Sequence, residues 1–206
     1  MKAAQFQPSD KHVVITGGAS GIGLEICRSL AARGVASIAI LDISLEALAA
    51  GEASLKGAGP IIRTFRADVT SEAEVLQAVQ AAHKQAGRLD IVFANAGIGP
   101  LGFMKDKDPT FYKKLMDVNY LGVVHTFKAA LPIMLKQRSG HLVATNSVSG
   151  YAGAPGLSAY SASKYATRGL VESLRLELIG TGVHLHTTAP NFTATPMMAG
   201  AQQGLV

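Results

Sequence analysis

Residues 12–23 read His12-Val13-Val14-Ile15-Thr16-Gly17-Gly18-Ala19-Ser20-Gly21-Ile22-Gly23, and this stretch decides the fold. The apolar run 13–15 stops at Thr16, and glycines follow at Gly17, Gly21 and Gly23. Leu24, Ile26, Cys27 and Leu30 then recur at helical spacing as far as Gly34. The pattern predicts a buried strand, a tight turn and a helix N-terminus. Such a terminus presents unpaired N–H groups and the positive end of the helix dipole, so it suits a phosphate. Gly17 lets the chain turn, Gly21 lets the backbone approach a pyrophosphate, and Gly23 lets helix and strand pack closely. Glycines also punctuate ordinary turns, so the context carries the reading. A strand precedes the glycines, a helix follows them, and an acidic residue, Asp42, ends the next predicted strand.

Outward from this stretch, strands and helices alternate. Strands are predicted over 12–16, 37–41, 61–67, 89–94, 141–145 and 183–188. Helices are predicted over 21–33, 45–55, 72–87, 109–137 and 157–179. Ser71 with Glu74 has capping-box spacing, and Asp108-Pro109 is a helix start with a capping side chain followed by proline. The helix 109–137 is expected to bend at Pro132. Apolar strands joined by helices of this length predict a parallel sheet covered on both faces, a doubly wound α/β fold in three layers. Right-handed crossovers put ligands at the carboxyl edge of such a sheet. Gly17, Asp42, Asp68, Asn95 and Ser147 all fall just after strands, on that edge. No linker divides the chain, so 1–206 reads as one dinucleotide-binding domain that also carries the chemistry.

Composition narrows the class. Apolar residues make up 48% of the chain and charged ones 16%, which fits a packed core rather than disorder. One cysteine, Cys27, allows no internal disulfide and fits a reducing, cytoplasmic setting. Its place in the first helix's apolar pattern makes it a small core residue before a reactive thiol. Residues 1–11 lack the apolar core of a signal peptide, and no uncharged stretch reads as a membrane span. Net charge is +5, yet the basic residues are scattered rather than interleaved with aromatics, so no nucleic-acid partner is read. The knot Lys105, Lys107, Lys113, Lys114 reads as a solvated face, with attraction of an anionic substrate as the alternative. No metal-ligand set is assigned.

Two groups of residues point to chemistry. Asp42 is placed to accept hydrogen bonds from both hydroxyls of an adenosine ribose, and it would repel a 2′-phosphate. An NADP site would want Arg or Lys where this sequence has Ser20 and Ile43, so NAD is the expected cofactor; the alternative is that Asp42 caps the helix starting near Ser44. Further on, Tyr160 and Lys164 stand four apart and share a helix face. A nearby ammonium favours phenolate, which makes Tyr160 a usable general acid–base near neutral pH. Ser147 leaves a strand end and can hydrogen-bond a substrate carbonyl oxygen. A lone Tyr/Lys pair is usually a surface pair; the serine and the glycine loop on one sheet edge change that weighting.

These residues together resemble the short-chain dehydrogenase/reductase family in its compact form. The resemblance runs from Val13 to Met197. It is carried by the loop from Thr16 to Gly23, Asp68-Val69, Asn95-Ala96-Gly97, Asn119, Ser147, Tyr160 with Lys164, and Pro190 with Thr195-Pro196-Met197. The resemblance implies that Tyr160 donates or accepts the proton. It implies that Lys164 holds the nicotinamide ribose and lowers the tyrosine's pKa, and that Ser147 polarises the carbonyl. Asn119 would position a water in a proton relay; read without the family, it is a mid-helix polar residue bonded to nearby backbone. Ser20, Ile22, Ala96, Gly97 and Pro190 join the cofactor contacts. Asp68 and Val69 would meet adenine, Asn95 the ribose or the sheet edge, and Thr195 with backbone near Thr193 the carboxamide.

The sequence departs from the family in places. Asn191 replaces the usual glycine after Pro190, Thr193 stands where a hydrophobic residue is expected, and Ala94-Asn95 replaces a doubled asparagine. Relatives continue through a lid helix and a seventh strand. Here the last strand and lid are expected to be missing, either because the sequence is cut short or because the substrate side is reduced, leaving an exposed sixth strand. The substrate pocket is expected to hold Ile98, Leu101, Phe103, Tyr151, Leu157, Phe192, Met197 and Met198, with no Arg or Lys, which suits a moderately hydrophobic secondary alcohol or ketone. Alternatives are a nucleotide-binding protein of this fold without turnover, and a reductase of 3-keto sphingoid bases or 3-oxoacyl groups. The sphingoid branch is faintly resembled by residues 119–122 and 159–166 and prefers NADPH. A nucleic-acid binder rests only on the basic charge. A homodimer or homotetramer through the helices 109–137 and 157–179 is the expected assembly.

Overall fold

The computed structural model describes residues 7–191 and residue 193. Six strands form one sheet in the order β3-β2-β1-β4-β5-β6, and every neighbouring pair is parallel. The strands are β1 (His12–Thr16), β2 (Ser37–Asp42), β3 (Ile61–Arg66), β4 (Ile91–Ala94), β5 (Gly140–Thr145) and β6 (Val183–Thr188). The helices are α1 (Gly21–Ala31), α2 (Leu45–Ser54), α3 (Glu72–Ala86), α4 (Pro109–Met116), α5 (Gly122–Gln137) and α6 (Ser158–Glu177). The strand order reverses between β1 and β4, so their carboxyl ends open a crevice there.

Each sheet face has its own apolar layer. On one, α1 and α2 bury Cys27, Leu30 and Leu48 against Ile15, Ile38 and Ile40. On the other, α3, α5 and α6 bury Val79, Phe127, Met134 and Val171 against Leu41, Val92 and Leu142. Burial pushes the Cys27 thiol up to about 12, so it is an inert core residue. The two edge strands depart from the continuous apolar runs of the sequence reading. β3 carries Arg63 and Arg66, and β6 alternates, burying Val183 and Leu185 under α6 while His184 and His186 stay exposed. Among the described residues both strands stand at the ends of the sheet, each with a single strand neighbour, and their side chains are less covered there.

The helix expected over 109–137 is continuous but irregular at a different place. α5 runs through Pro132, and the departure from α geometry is a π turn at Asp117–Leu121. The run 109–137 also has the length and mean hydropathy (1.2) of a membrane span by composition alone, which the sequence reading did not credit to it. Its apolar residues Val123, Phe127, Ala130 and Met134 are buried in the core layer, which accounts for that hydropathy. Gly122 lets α5 approach the end of β3, since a Cβ there would lie 2.9 Å from the Val69 side chain.

Candidate active site

Among the described residues, three of the six α-helices begin with a side-chain cap. Ser44 caps α2, Ser71 caps α3, and Asp108 caps α4 with Oδ1 accepting from Thr110 and Phe111. Asp42 is therefore not the α2 cap. The Ser71/Glu74 box is only half made, because the Glu74 carboxylate turns to the Asp68 amide at 2.9 Å and to Arg66. By contrast, α1 starts at Ser20 with no side-chain cap and no acidic residue in its first turn. Its N–H groups face a cavity of about 980 Å³. That is the state of a helix end shaped for an external anion.

The loop in front of α1 is held by its neighbours. Gly17 adopts φ +62°, and a Cβ there would lie 2.7 Å from the Ala96 Cα. A Cβ on Gly23 would lie 2.1 Å from the Gly17 carbonyl oxygen, so Gly23 permits helix-to-loop contact rather than helix-to-strand contact. Asn95 braces the sheet edge: its Nδ2 donates to the carbonyls of Thr16 and Gly17 at 3.2 and 3.1 Å. The Thr16 hydroxyl accepts from the amides of Asn95 and Ala96. Asp42 accepts from the Ala19 amide at 3.3 Å and the Ser44 amide at 3.2 Å, so this carboxylate ties the glycine loop to the end of β2.

The cavity brings most of the predicted residues together. Gly17, Ser20, Gly21, Ile22, Gly23, Asp42, Asp68, Val69, Asn95, Ala96, Gly97, Ser147, Tyr160, Lys164, Pro190 and Thr193 all line it. Thr195, Phe192, Met197 and Met198 lie outside the described residues. Phe103 and Tyr151 do not line the cavity. Tyr151 instead stacks under the Arg168 guanidinium at 4.5 Å, and Phe103 faces solvent. The apolar wall is Ile98, Pro100, Leu101, Val148 and Leu157. Lys113 and Lys114 also line the cavity, although the segments first read as the pocket contain no cation; α4 supplies them from elsewhere in the sequence. Lys113 is paired with Asp117 at 2.6 Å, and Lys107 lies over the Phe111 ring.

At the far end of the cavity stand Tyr160, Ser147 and Lys164. The Ser147 hydroxyl accepts from the Ser149 amide at 3.1 Å, which leaves its proton free to be donated. Burial pushes the Tyr160 phenol above its ordinary value, and the hydrogen bond with Ser147 draws it partly back. The Lys164 ammonium is buried, lies 5.7 Å from the Tyr160 ring centroid and donates to the Thr145 carbonyl at 2.9 Å. Burial lowers its pKa to about 8. The net direction in the protein alone is therefore upward, opposite to the lowering expected from sequence.

Asn119 sits behind this group, fully buried and off the cavity wall. Its Oδ1 accepts from the Ile98 amide at 2.8 Å, and its Nδ2 donates to the Ile98 carbonyl and to Ser163. Its carbonyl accepts from the Thr167 hydroxyl. Thr16 entered the sequence reading only as the strand end that opens the glycine motif, and Thr145, Ser163 and Thr167 were not singled out. The last two were visible only as hydroxyls on the same helical face as Tyr160 and Lys164.

Comparison with known proteins gives a consistent result. A family profile described as short chain dehydrogenase matches residues 11–205. The chain is 34% identical to glycine betaine reductase of Emericella nidulans over 190 residues, covering 92% of this chain and 15% of that one. It is 30% identical to 3-ketodihydrosphingosine reductase of Dictyostelium discoideum over 215 residues, covering 95% of this chain and 64% of that one. The chain thus spans under two thirds of these two relatives. A crystal structure of a short chain dehydrogenase/reductase from Burkholderia phymatum in complex with NAD superposes with a TM-score of 0.91 at 33% identity, covering 97% of this chain and 71% of that one.

Proposed function

The chain belongs to the short chain dehydrogenase family, and from that premise we propose that it interconverts a moderately hydrophobic secondary alcohol and a ketone with NAD(H). The reading is carried by one observation: Tyr160, Ser147 and Lys164 share a cavity with an uncapped helix N-terminus. The residues present fit a dinucleotide. The bare N–H groups of α1 suit its pyrophosphate, and Asp42 suits the adenosine ribose hydroxyls while opposing a 2′-phosphate. Asp68 and Val69 would flank adenine, Asn95, Ala96 and Gly97 the middle of the site, and Lys164, Pro190, Thr193 and Thr195 the nicotinamide end. When bound, the cofactor supplies hydride transfer.

The chain's own residues handle the substrate oxygen. Ser147, whose oxygen already accepts from the Ser149 amide, donates a hydrogen bond to it. Tyr160 exchanges the proton. A phenol pushed up by burial stays protonated at neutral pH, so the Lys164 charge and the cationic nicotinamide ring are needed to bring its ionisation into range. The Asn119 carbonyl would hold the relay water that the family resemblance assigns to Asn119. The apolar wall sets the substrate class. The relation to 3-ketodihydrosphingosine reductase favours a long-chain 3-keto base as a second reading, while Asp42 weighs against the NADPH which that branch prefers.

The test is turnover with a panel of alcohols and ketones, comparing NADH with NADPH. Tyr160→Phe should keep NADH binding and lose turnover by at least a hundredfold, in line with the roughly 10²–10⁴-fold value of general acid–base catalysis. Undiminished turnover in that variant, or a preference for NADPH in the parent, would count against the reading. A parent that binds NADH but turns over nothing in the panel would favour a nucleotide-binding protein without chemistry. We also propose a cytoplasmic setting, from the lone buried cysteine.

A further inference from the structure

We propose that Thr167 and Ser163 are positioning residues that clamp the π turn to α6 and so set the place of Tyr160 and Lys164 relative to the cavity loop. The inference rests on the catalytic reading above but concerns residues which that reading does not use. Both hydroxyls are fully buried, and neither residue lines the cavity, so neither touches substrate or cofactor.

The geometry is a two-point attachment. A π turn shifts the hydrogen-bond ladder of a helix and leaves backbone groups looking for other partners. At Asp117–Leu121 the Asn119 carbonyl finds the Thr167 hydroxyl at 3.1 Å. That hydroxyl also lies 3.0 Å from the Ser163 carbonyl. It has one proton to share between the two carbonyls, and of the two bonds only that to Asn119 joins the π turn to α6. The second point is Ser163, whose hydroxyl donates to the Tyr160 carbonyl at 2.7 Å and accepts from Asn119 Nδ2 at 3.0 Å. Residues 160, 163, 164 and 167 share one face of α6, so the turn that carries both reactive side chains is the turn that is clamped. Asn119 completes the link through Ile98, whose amide and carbonyl it holds. The adjoining Gly97 is close to both groups: a Cβ there would lie 3.2 Å from Asn119 Oδ1 and 3.9 Å from Lys164 Nζ. A loosened clamp therefore moves the ammonium and the loop apart.

Thr167→Val keeps the shape and removes the side-chain donor that ties the Asn119 carbonyl to α6. With the best substrate of the panel, kcat should fall about tenfold or more, as small misplacements of reacting groups do, while KM for NADH stays within about twofold. The limb of the pH–rate profile set by Lys164 should move up, because a loosened site admits water to an ammonium that burial holds at about 8. Thr167→Ser should restore both kcat and the pH limb. Should Thr167→Val fail to fold, Ser163→Ala is measured in the same way with the same expectation. A Thr167→Val enzyme with a lowered Tm but unchanged kcat and pH profile would show a purely structural hydroxyl and overturn the proposal, as would failure of Thr167→Ser to rescue. Tyr160→Phe run alongside separates the two readings. If it keeps turnover, the catalytic reading fails; if it loses turnover while Thr167→Val does not, only the clamp fails.

Discussion

Lys164 shows how a single side chain trades stability for chemistry. Its ammonium is buried with one backbone acceptor, and its pKa falls to about 8 from an ordinary 10.5. The folded pKa of this base lies below the unfolded one, so the unfolded chain binds more protons between these values. Stability should therefore rise as pH goes from about 8 to 10.5, and below 8 the full cost of burying the charge, roughly 3 kcal/mol, remains. Lys164→Met should raise stability near pH 7 by about 1–3 kcal/mol, net of the bond lost at the Thr145 carbonyl, and abolish turnover. Chemical denaturation with an activity assay checks both. A less stable methionine variant would mean that the bond to Thr145 outweighs the burial cost. Tyr160 and Lys164 could be paired from sequence because four residues make one helical turn. The Thr145 carbonyl could not, because a backbone acceptor has no residue type to read.

At the scale of elements, the β5–β6 pair carries a cluster that no sequence motif announced. His141 Nδ1 lies 3.0 Å from His186 Nε2, and the His141 ring stacks near His184 as well. Partial burial, then His186, His184 and Lys11, drive the His141 pKa down to about 4, with Asp90 opposing; burial, His184 and Arg175 lower that of His186. The folded state thus prefers neutral rings, while the unfolded chain protonates below the ordinary 6.5. Stability contributed here is intact above 6.5 and lost as pH falls towards 4. His141→Asn should flatten that acid limb in thermal melts taken across the window; an unchanged slope would place acid sensitivity elsewhere. The π turn is a second feature that no sequence motif announced. The sequence flagged Pro132 as the irregular point, but α5 absorbs that proline, and the irregularity arises where Asn119 is pulled by Ile98, Ser163 and Thr167.

For the molecule as a whole, the question is what covers its remaining apolar surface. Leu135 on α5 is 39% exposed and Leu176 on α6 is 69% exposed. We propose a homodimer or homotetramer through these helices, as read from the sequence. Light scattering at tens of micromolar should give a multiple of the 21.4 kDa chain mass, and Leu135→Lys with Leu176→Lys should return it to the monomer. A parent already monomeric at that concentration would remove the idea.

The sequence by itself determined the layered parallel fold, the glycine turn leading into a helix start without a side-chain cap, and the grouping of Ser147, Tyr160 and Lys164, because strand period, helix period and glycine chemistry act over a few neighbouring residues. Only the tertiary structure decided which residues stand behind that group. It set Thr167 against the Asn119 carbonyl, turned Tyr151 out to Arg168, and brought Lys113 and Lys114 to the cavity wall. Each of these joins segments far apart in the chain, and which buried donor meets which acceptor is settled by packing once the layers have closed.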